Sequence, residues 1–179
     1  GWDIAGTVER TAADGSGPPA GGRVVGLLEA AAWAERVAVP TANLAVLPAN
    51  VSFEQAATLP VAGLTALYAL EKRGSLLGRR VLVTGASGGV GIFAAQLARL
   101  GGAHVTALVH TAAKRAAVQA HADAVVVGES AEVAREHGPF DIVLESVGGA
   151  VFASALAQLQ TDGTLVTFGT SAERMSTIE

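Results

Sequence analysis

The chain has 179 residues, of which half are apolar and only 4% are aromatic, so its core has to be built mainly from alanine, valine and leucine. Its formal net charge of −4 gives no general attraction for nucleic acid or anionic lipid, and its apolar runs end before the ~18 residues of a membrane span, so we expect no nucleic acid and no membrane among its partners. The absence of cysteine excludes disulfides and every zinc site that needs a thiolate.

Short strand-like runs occupy the first fifty residues. They lie at residues 4–9, 23–28 and 34–39, and a loop rich in glycine and proline separates the first two. Three short strands rarely form a stable domain by themselves. We therefore expect residues 1–51 to be the C-terminal part of a β-rich domain, and the chain to be a piece of a longer protein.

After Ser52 the pattern changes to alternating helices and strands. Ser52 is a typical N-cap residue, and Pro60 opens a second helix that stops near Gly74. A strand starts at Val81, and further strands are predicted at residues 104–109, 124–127, 140–145 and 164–168. Helices are predicted at residues 92–100, 111–120, 131–137 and 150–158. The alternation predicts an α/β fold with a doubly wound parallel sheet over residues 52–179.

A cluster of glycines lies between the strand at Val81 and the helix that follows it. The fingerprint is Ala-Ser-Gly-Gly-Val-Gly at residues 86–91, with alanine where the first glycine usually stands. A side chain at Gly88 would keep the backbone away from a pyrophosphate, and one at Gly91 would push the helix off the strand. The free amides and the positive end of the helix dipole would face the phosphates. In this strand–turn–helix setting the motif indicates a dinucleotide site.

The end of the next strand distinguishes the two nicotinamide dinucleotides. An acidic residue ~20 residues after the glycines would bind the ribose 2′-hydroxyl of NAD. Residues 108–115 contain no acid and include Lys114 and Arg115. A 2′-phosphate needs donors and positive charge, so the sequence favours NADPH. The alternative is that both cations belong to a solvated first helical turn, where they would oppose the helix dipole.

Four segments carry a resemblance to a known family. They are residues 1–8 (GWDIAGTV), residues 33–40 with their WAE and VP landmarks, residues 56–66 (AATLPVAGLTA) and residues 140–149 (FDIVLESVGG). In these segments the chain resembles the zinc-independent quinone oxidoreductases, close to ζ-crystallin, of the medium-chain dehydrogenase/reductase superfamily.

The resemblance implies a GroES-like substrate domain, to which residues 1–51 would belong, and an NADP-binding Rossmann domain at residues 52–179, with the active site in the cleft between them. On this template a sixth strand and the return to the first domain are missing, so we expect a native protein of about 300 residues or longer. The segment alone would leave its fifth strand as an open edge that invites association. We expect a homodimer in the full-length form and a cytoplasmic location.

The resemblance also implies which residues bind the cofactor. Those expected around the nicotinamide and its ribose are Thr65, Val147, Phe168, Gly169 and Thr170. Those expected at the pyrophosphate are Ser87, Gly88, Gly89 and Val90. Those expected at the adenosine phosphate are His110, Thr111 and Lys114. Many relatives carry a tyrosine near this phosphate where Gly128 stands here, and either His110 takes its place or the affinity is lower.

Metal and catalysis are the remaining points. The zinc alcohol dehydrogenases of the superfamily carry a histidine ligand where Trp2 stands, and the four histidines show no ligand spacing, so we expect no metal. The resemblance implies hydride transfer from NADPH to a quinone or an α,β-unsaturated carbonyl, and identifies no catalytic acid. The alternatives are a non-catalytic NADPH-binding protein, such as a sensor or a crystallin-like member, and the enoyl-reductase domain of a larger synthase. Glu145 either lines the nicotinamide end of the site or caps the next helix.

Overall fold

The computed structural model describes residues 1–178, whose contacts divide into two compact units, Gly1–Leu64 and the residues from Thr65 onward. The boundary lies inside the helix Pro60–Glu71. A domain boundary at residue 52 stays a prediction.

The first unit contains a small antiparallel sheet. Its strands pair in the order β1 (Asp3–Thr7), β2 (Arg23–Leu27) and β3 (Leu44–Val46). The two strands predicted at residues 4–9 and 23–28 are confirmed to within two residues.

A short helix, α1 (Phe53–Ala57), follows this sheet, and its start is fixed by a capping box. The Ser52 hydroxyl accepts the Gln55 amide at 3.2 Å, and the Gln55 side chain accepts the Ser52 amide at 3.1 Å. The Arg23 guanidinium of β2 lies 4.5 Å from the centroid of the Phe53 ring, a cation–π contact that joins the helix to the sheet. The predicted N-cap at Ser52 is confirmed.

The strand predicted at residues 34–39 is wrong. Val37 and Val39 are half-buried and their neighbours are exposed, so the expected alternation is present. These residues nevertheless pair with no strand within residues 1–178, and alternation without a partner gives no ladder. The sequence pattern missed β3, whose three residues follow a 3-10 turn at Thr41–Asn43.

The second unit is a five-stranded parallel sheet with helices on both faces. The helix α2 (Pro60–Glu71) leads into it. Its remaining elements are β4 (Arg80–Val83), α3 (Gly89–Leu100), β5 (His104–Val109), β6 (Ala124–Val127), β7 (Phe140–Glu145), α4 (Gly149–Leu156) and β8 (Leu159–Thr167). The strands lie in the order β6-β5-β4-β7-β8, all parallel. The predicted doubly wound parallel sheet is confirmed.

Small apolar residues bury both faces of this sheet. Val81 and Val83 of β4 pack with the alanines of α3, and Leu82 between them packs on the opposite face with Val151 and Ala155 of α4. Strand alternation therefore assigns the two helices to opposite faces. Alanine takes the place of larger aromatic residues in this core, and its small side chain lets the helices approach the sheet closely.

Two connecting segments depart from the predicted α-helices. Residues 111–120 form two 3-10 pieces, Ala112–Ala117 and Gln119–His121, because the buried Val118 between them has a φ of −126° and leaves the helical region. The predicted short helix at residues 131–137 is also of the 3-10 type. The last strand starts at Leu159 rather than at residue 164, since Leu159 already pairs with Phe140 before the turn-like residues that follow it.

A charged cluster fixes the amino ends of the central strands. Asp141 of β7 is buried and accepts the Arg79 guanidinium at 2.7 Å, the Arg80 amide at 2.9 Å and the Gln160 side-chain amide at 2.6 Å. These contacts link β7 to the start of β4 and to β8. Asp141 and Glu145 lie at opposite ends of β7, so they do not form a carboxylate pair.

Candidate functional site

The carboxyl ends of β4 and β7 lie side by side at the centre of the sheet. In the sheet, β5 and β6 lie on the outer side of β4, and β8 lies on the outer side of β7. The strand order therefore reverses its direction between β4 and β7. Open parallel sheets bind ligands at such a switch point. All the predicted cofactor residues except Thr65 follow the carboxyl end of β4, β5, β7 or β8, so the fold brings these segments to one edge.

The turn after β4 presents unpaired backbone donors. Helix α3 is capped by Gly88, which offers no side chain, and its first helical hydrogen bond runs from the Ile92 amide to the Gly88 carbonyl at 3.0 Å. Within the described residues the amides of Gly89, Val90 and Gly91 have no acceptor. Three free amides at the positive end of a helix form a site for an anion such as a phosphate.

Gly91 is required by the packing of the turn against the helix. A Cβ atom there would lie 2.5 Å from the Gly85 carbonyl oxygen and 2.7 Å from the Ala86 Cα atom. Both are backbone atoms of the turn, which cannot move aside as a side chain can. Glycine at this position therefore lets α3 approach the end of β4, as the motif predicted.

Gly88, in contrast, is not required by the packing of the fold. A Cβ atom there would meet only the Gly85 carbonyl oxygen, at 3.2 Å, and would otherwise enter open space. Gly88 and Gly89 are both exposed. The missing side chain therefore leaves open space next to the residues with free amides, which fits the pyrophosphate of a dinucleotide.

The end of β5 carries exposed polar and basic side chains. His110, Thr111 and Lys114 are exposed, and neither Lys114 nor Arg115 forms an ion pair within residues 1–178. The segment contains no carboxylate that would repel a phosphate. Lys114 and Arg115 do not oppose the dipole of an α-helix, however, because a 3-10 helix of six residues follows here instead.

A buried polar network joins the carboxyl ends of β4 and β7. The Thr84 hydroxyl donates to Glu145 Oε1 at 3.2 Å and accepts the Ser146 amide at 3.1 Å. Glu145 Oε1 also accepts the amides of Val147 at 2.7 Å and Gly148 at 3.0 Å, directly before α4. Of the two roles considered for Glu145, the capping of the next helix is the one that these contacts describe.

The loops after β7 and β8 are hydrogen-bonded to each other. The Phe168 amide donates to the Glu145 carbonyl at 3.1 Å, and the Ala172 amide donates to the Val147 carbonyl at 2.9 Å. Phe168 also packs against the buried core cluster that contains Ala66 of α2. The half-buried Thr65 directly precedes Ala66 in the chain. Val147 and residues 168–170 therefore form one surface beside the glycine turn.

Sequence reasoning missed two members of this network, Thr84 and Ser146. Each immediately follows a buried strand at the switch point, and a hydroxyl at such a position is a signal that could have been used. Their task here is to satisfy Glu145 and the neighbouring amides.

Comparison with known proteins supplies relatives for this architecture. A family model described as zinc-binding dehydrogenase matches residues 89–178. The chain is 40% identical over 121 residues to the mitochondrial NAD(P)H oxidoreductase RTN4IP1 of Bos taurus, a match that covers 63% of this chain and 31% of that protein.

Two solved structures cover nearly the whole chain. The CurK enoyl reductase has a TM-score of 0.89 and 28% identity over 98% of this chain and 55% of that one. The quinone oxidoreductase from Thermus thermophilus, also solved as its complex with NADPH, has a TM-score of 0.80 and 36% identity over 93% of this chain and 53% of that one. The chain thus spans little more than half of each structure.

The description of the matching family names zinc. A zinc site needs three or four nitrogen, sulfur or carboxylate ligands. Residues 1–178 bring together no group of three or more histidine, aspartate or glutamate side chains that could hold a metal, and the sequence has no cysteine. The described residues do not fit zinc. No helix among them is long and apolar enough to cross a membrane.

Proposed function

We propose, since the chain belongs to the zinc-binding dehydrogenase family, that it contains the NADPH-binding part of an oxidoreductase. The observation that carries this proposal is the turn after β4, where three free amides follow directly on Gly88 and a Gly88 side chain would enter open space. Two relatives support the choice of ligand, since one is an NAD(P)H oxidoreductase and the other was solved with NADPH.

We assign the pyrophosphate to the turn at residues 87–90. The free amides of Gly89 and Val90 would donate to its oxygens, and the dipole of α3 would favour its negative charge. Ser87 is half-buried beside them and adds a hydroxyl.

The 2′-phosphate is assigned to the end of β5. Lys114 has no ion-pair partner in the described chain and is exposed, so its ammonium group is available for a charge-assisted contact. His110 and Thr111 add two further polar side chains at the same strand end. NAD lacks this phosphate, so these contacts would select NADPH.

The nicotinamide is assigned to the surface formed by Val147 and residues 168–170, together with Thr65. When bound, NADPH supplies a hydride to an electron-poor acceptor. Val147 and Phe168 would exclude water from one side of the ring, and the backbone contacts between their loops would hold that surface in place. No side chain within residues 1–178 is assigned as a proton donor to the product.

The acceptor that we propose is a quinone or an α,β-unsaturated carbonyl, with the resemblance to the Thermus quinone oxidoreductase in support. A second candidate is enoyl reduction within a larger synthase, because the fold superposes on the CurK enoyl reductase with a TM-score of 0.89.

Loss of NADPH absorbance in the presence of each acceptor tests these assignments in the full-length protein. 9,10-Phenanthrenequinone represents the first class and a crotonyl thioester the second, and Gly88→Val gives the background. Turnover of the quinone alone supports the first candidate, and turnover of the thioester with little quinone activity supports the second. Tight NADPH binding with neither activity would favour a non-catalytic protein, and absence of NADPH binding would overturn the proposal.

A further inference from the structure

Glu145 is a buried acidic residue without a cationic partner. Its side chain is 0% exposed, at the last position of β7. Oε1 accepts three hydrogen bonds, from Thr84, Val147 and Gly148, and Oε2 has no partner among the described residues. Within residues 1–178 no lysine, arginine or histidine forms an ion pair with it.

The hydrogen bonds of Glu145 do not require its charge. A neutral amide oxygen could accept the same amides of Val147 and Gly148 and the same hydroxyl of Thr84, so these three hydrogen bonds do not explain why the residue is acidic. A buried carboxylate is costly unless it is paired, and neutral donors stabilise it locally without cancelling its net charge. The hydrogen bonds therefore leave one feature of this position unexplained, a buried carboxyl group with an oxygen, Oε2, that has no partner among the described residues.

The position of this carboxyl group is the second observation. Glu145 is two residues before Val147, and its carbonyl accepts the Phe168 amide at 3.1 Å. Val147 and Phe168 are the residues assigned above to the nicotinamide, so the carboxylate lies behind the surface that would contact the ring. The following inference rests on that proposed function.

We propose that Glu145 shifts the redox balance of the bound cofactor toward its oxidised form. The nicotinamide ring is neutral when reduced and carries a positive charge after one proton and two electrons have left as hydride for the acceptor, whose second proton comes from water. Glu145 stabilises the positively charged ring and not the neutral one, because its own charge acts through the poorly polarisable protein interior. It is a positioning and electrostatic residue that makes the reduced cofactor a stronger hydride donor, without touching substrate.

Glu145→Gln in the full-length protein tests this, because it removes the charge and keeps the acceptor oxygen. The dissociation constants of NADP⁺ and NADPH are measured separately by titration calorimetry for both proteins. We expect Kd for NADP⁺ to rise about tenfold relative to Kd for NADPH, the effect of losing one nearby buried charge. Glu145→Asp keeps the charge in a shorter side chain, so its ratio of the two constants should stay within about twofold of the wild type.

Equal weakening of both forms in Glu145→Gln would show a merely structural cap and would overturn the inference. If that variant does not fold, Glu145→Asp and Glu145→Asn form a second pair of equal length, and the same difference in the ratio is expected between them. An equal ratio in that pair would likewise overturn it. A wild-type protein that binds neither NADP⁺ nor NADPH would instead contradict the proposed function itself.

Discussion

Replacing Gly88 by valine should abolish NADPH binding while leaving the second unit folded. The backbone at Gly88 is extended, with φ −80° and ψ 170°, a conformation that suits a β-branched residue. The added Cβ atom meets one atom within 4 Å, the Gly85 carbonyl oxygen at 3.2 Å. Loss of a favourable N-cap residue adds a destabilisation of ~1 kcal/mol.

The effect on binding follows from the free amides. A valine side chain would occupy the space in front of Gly89 and Val90, where the pyrophosphate must come within hydrogen-bonding distance. A hydrogen bond to a charged group contributes ~1.5–3 kcal/mol, so the loss of two such bonds weakens NADPH binding by about 100-fold or more.

Gly91→Ala is the matched control with the opposite expectation. Its Cβ atom would lie 2.5–2.8 Å from backbone atoms of Gly85 and Ala86, so the helix must shift. Overpacking of this kind destabilises by ~3 kcal/mol, and the better helix propensity of alanine returns ~1 kcal/mol, leaving ~2 kcal/mol and a fall in Tm of roughly 4–8 °C.

Circular dichroism melting and fluorescence titration with NADPH measure the two effects separately. We expect Gly88→Val to melt within a few degrees of the wild type and not to bind NADPH. Gly91→Ala should have a clearly lower Tm than Gly88→Val. A folded Gly88→Val protein that binds NADPH with unchanged affinity would show that the cofactor binds elsewhere.

Three further predictions concern the cofactor, the metal and the fold. Lys114→Ala should weaken NADPH binding about tenfold or more and leave NADH binding unchanged, because a charge-assisted phosphate contact contributes ~1.5–3 kcal/mol. Titration calorimetry with both cofactors measures this, with Arg115→Ala as the comparison variant. Equal affinities of the wild-type protein for NADH and NADPH would contradict the prediction. Activity of the full-length protein should survive exhaustive chelation, and stoichiometric zinc in elemental analysis together with loss of activity on its removal would show the opposite. Burial raises the pKa of Asp141, but hydrogen bonds from Arg80 and Arg79 outweigh it and hold the pKa below its ordinary value of 3.8. The carboxylate therefore stabilises the fold fully above pH 3.8. This stabilisation is lost as the pH falls through the lower pKa that Asp141 has in the folded protein. Asp141→Asn should be less stable by ~1–3 kcal/mol in urea unfolding at neutral pH, with a gap that narrows below pH ~4, whereas a gap independent of pH would exclude this role.

The parallel sheet was predictable because its three central strands, β5, β4 and β7, are almost wholly buried and appear as short continuous apolar runs. Residues 104–109, 124–127 and 140–145 match β5, β6 and β7 at both ends. Elements that depend on a partner were less accessible. β3 has three residues and exists through its pairing with β2, whereas residues 34–39 have the right alternation and lack a partner in the described chain.

The part of the candidate site that the main chain forms, the glycine turn after β4, was predictable from the sequence. The close approach that requires glycine at position 91 is present in the structure, whereas the approach of a pyrophosphate to Gly88 stays a prediction. The network of Thr84, Glu145 and Ser146 was not predictable in the same way, because its members come from two strands that are 60 residues or more apart in the chain and adjacent only in the sheet. The assignments of individual residues to the cofactor stay predictions.

The free amides of α3 also determine how this site can be damaged. Apart from the Ser87 hydroxyl, its proposed donors belong to the main chain, so we expect no truncation of a side chain there to abolish binding. Truncation of Ser87 or Val90 to alanine should be tolerated, whereas any added atom at Gly88 intrudes on the ligand. A scan that only shortens side chains would therefore pass over this turn without detecting it, and a scan that enlarges them would identify it at once.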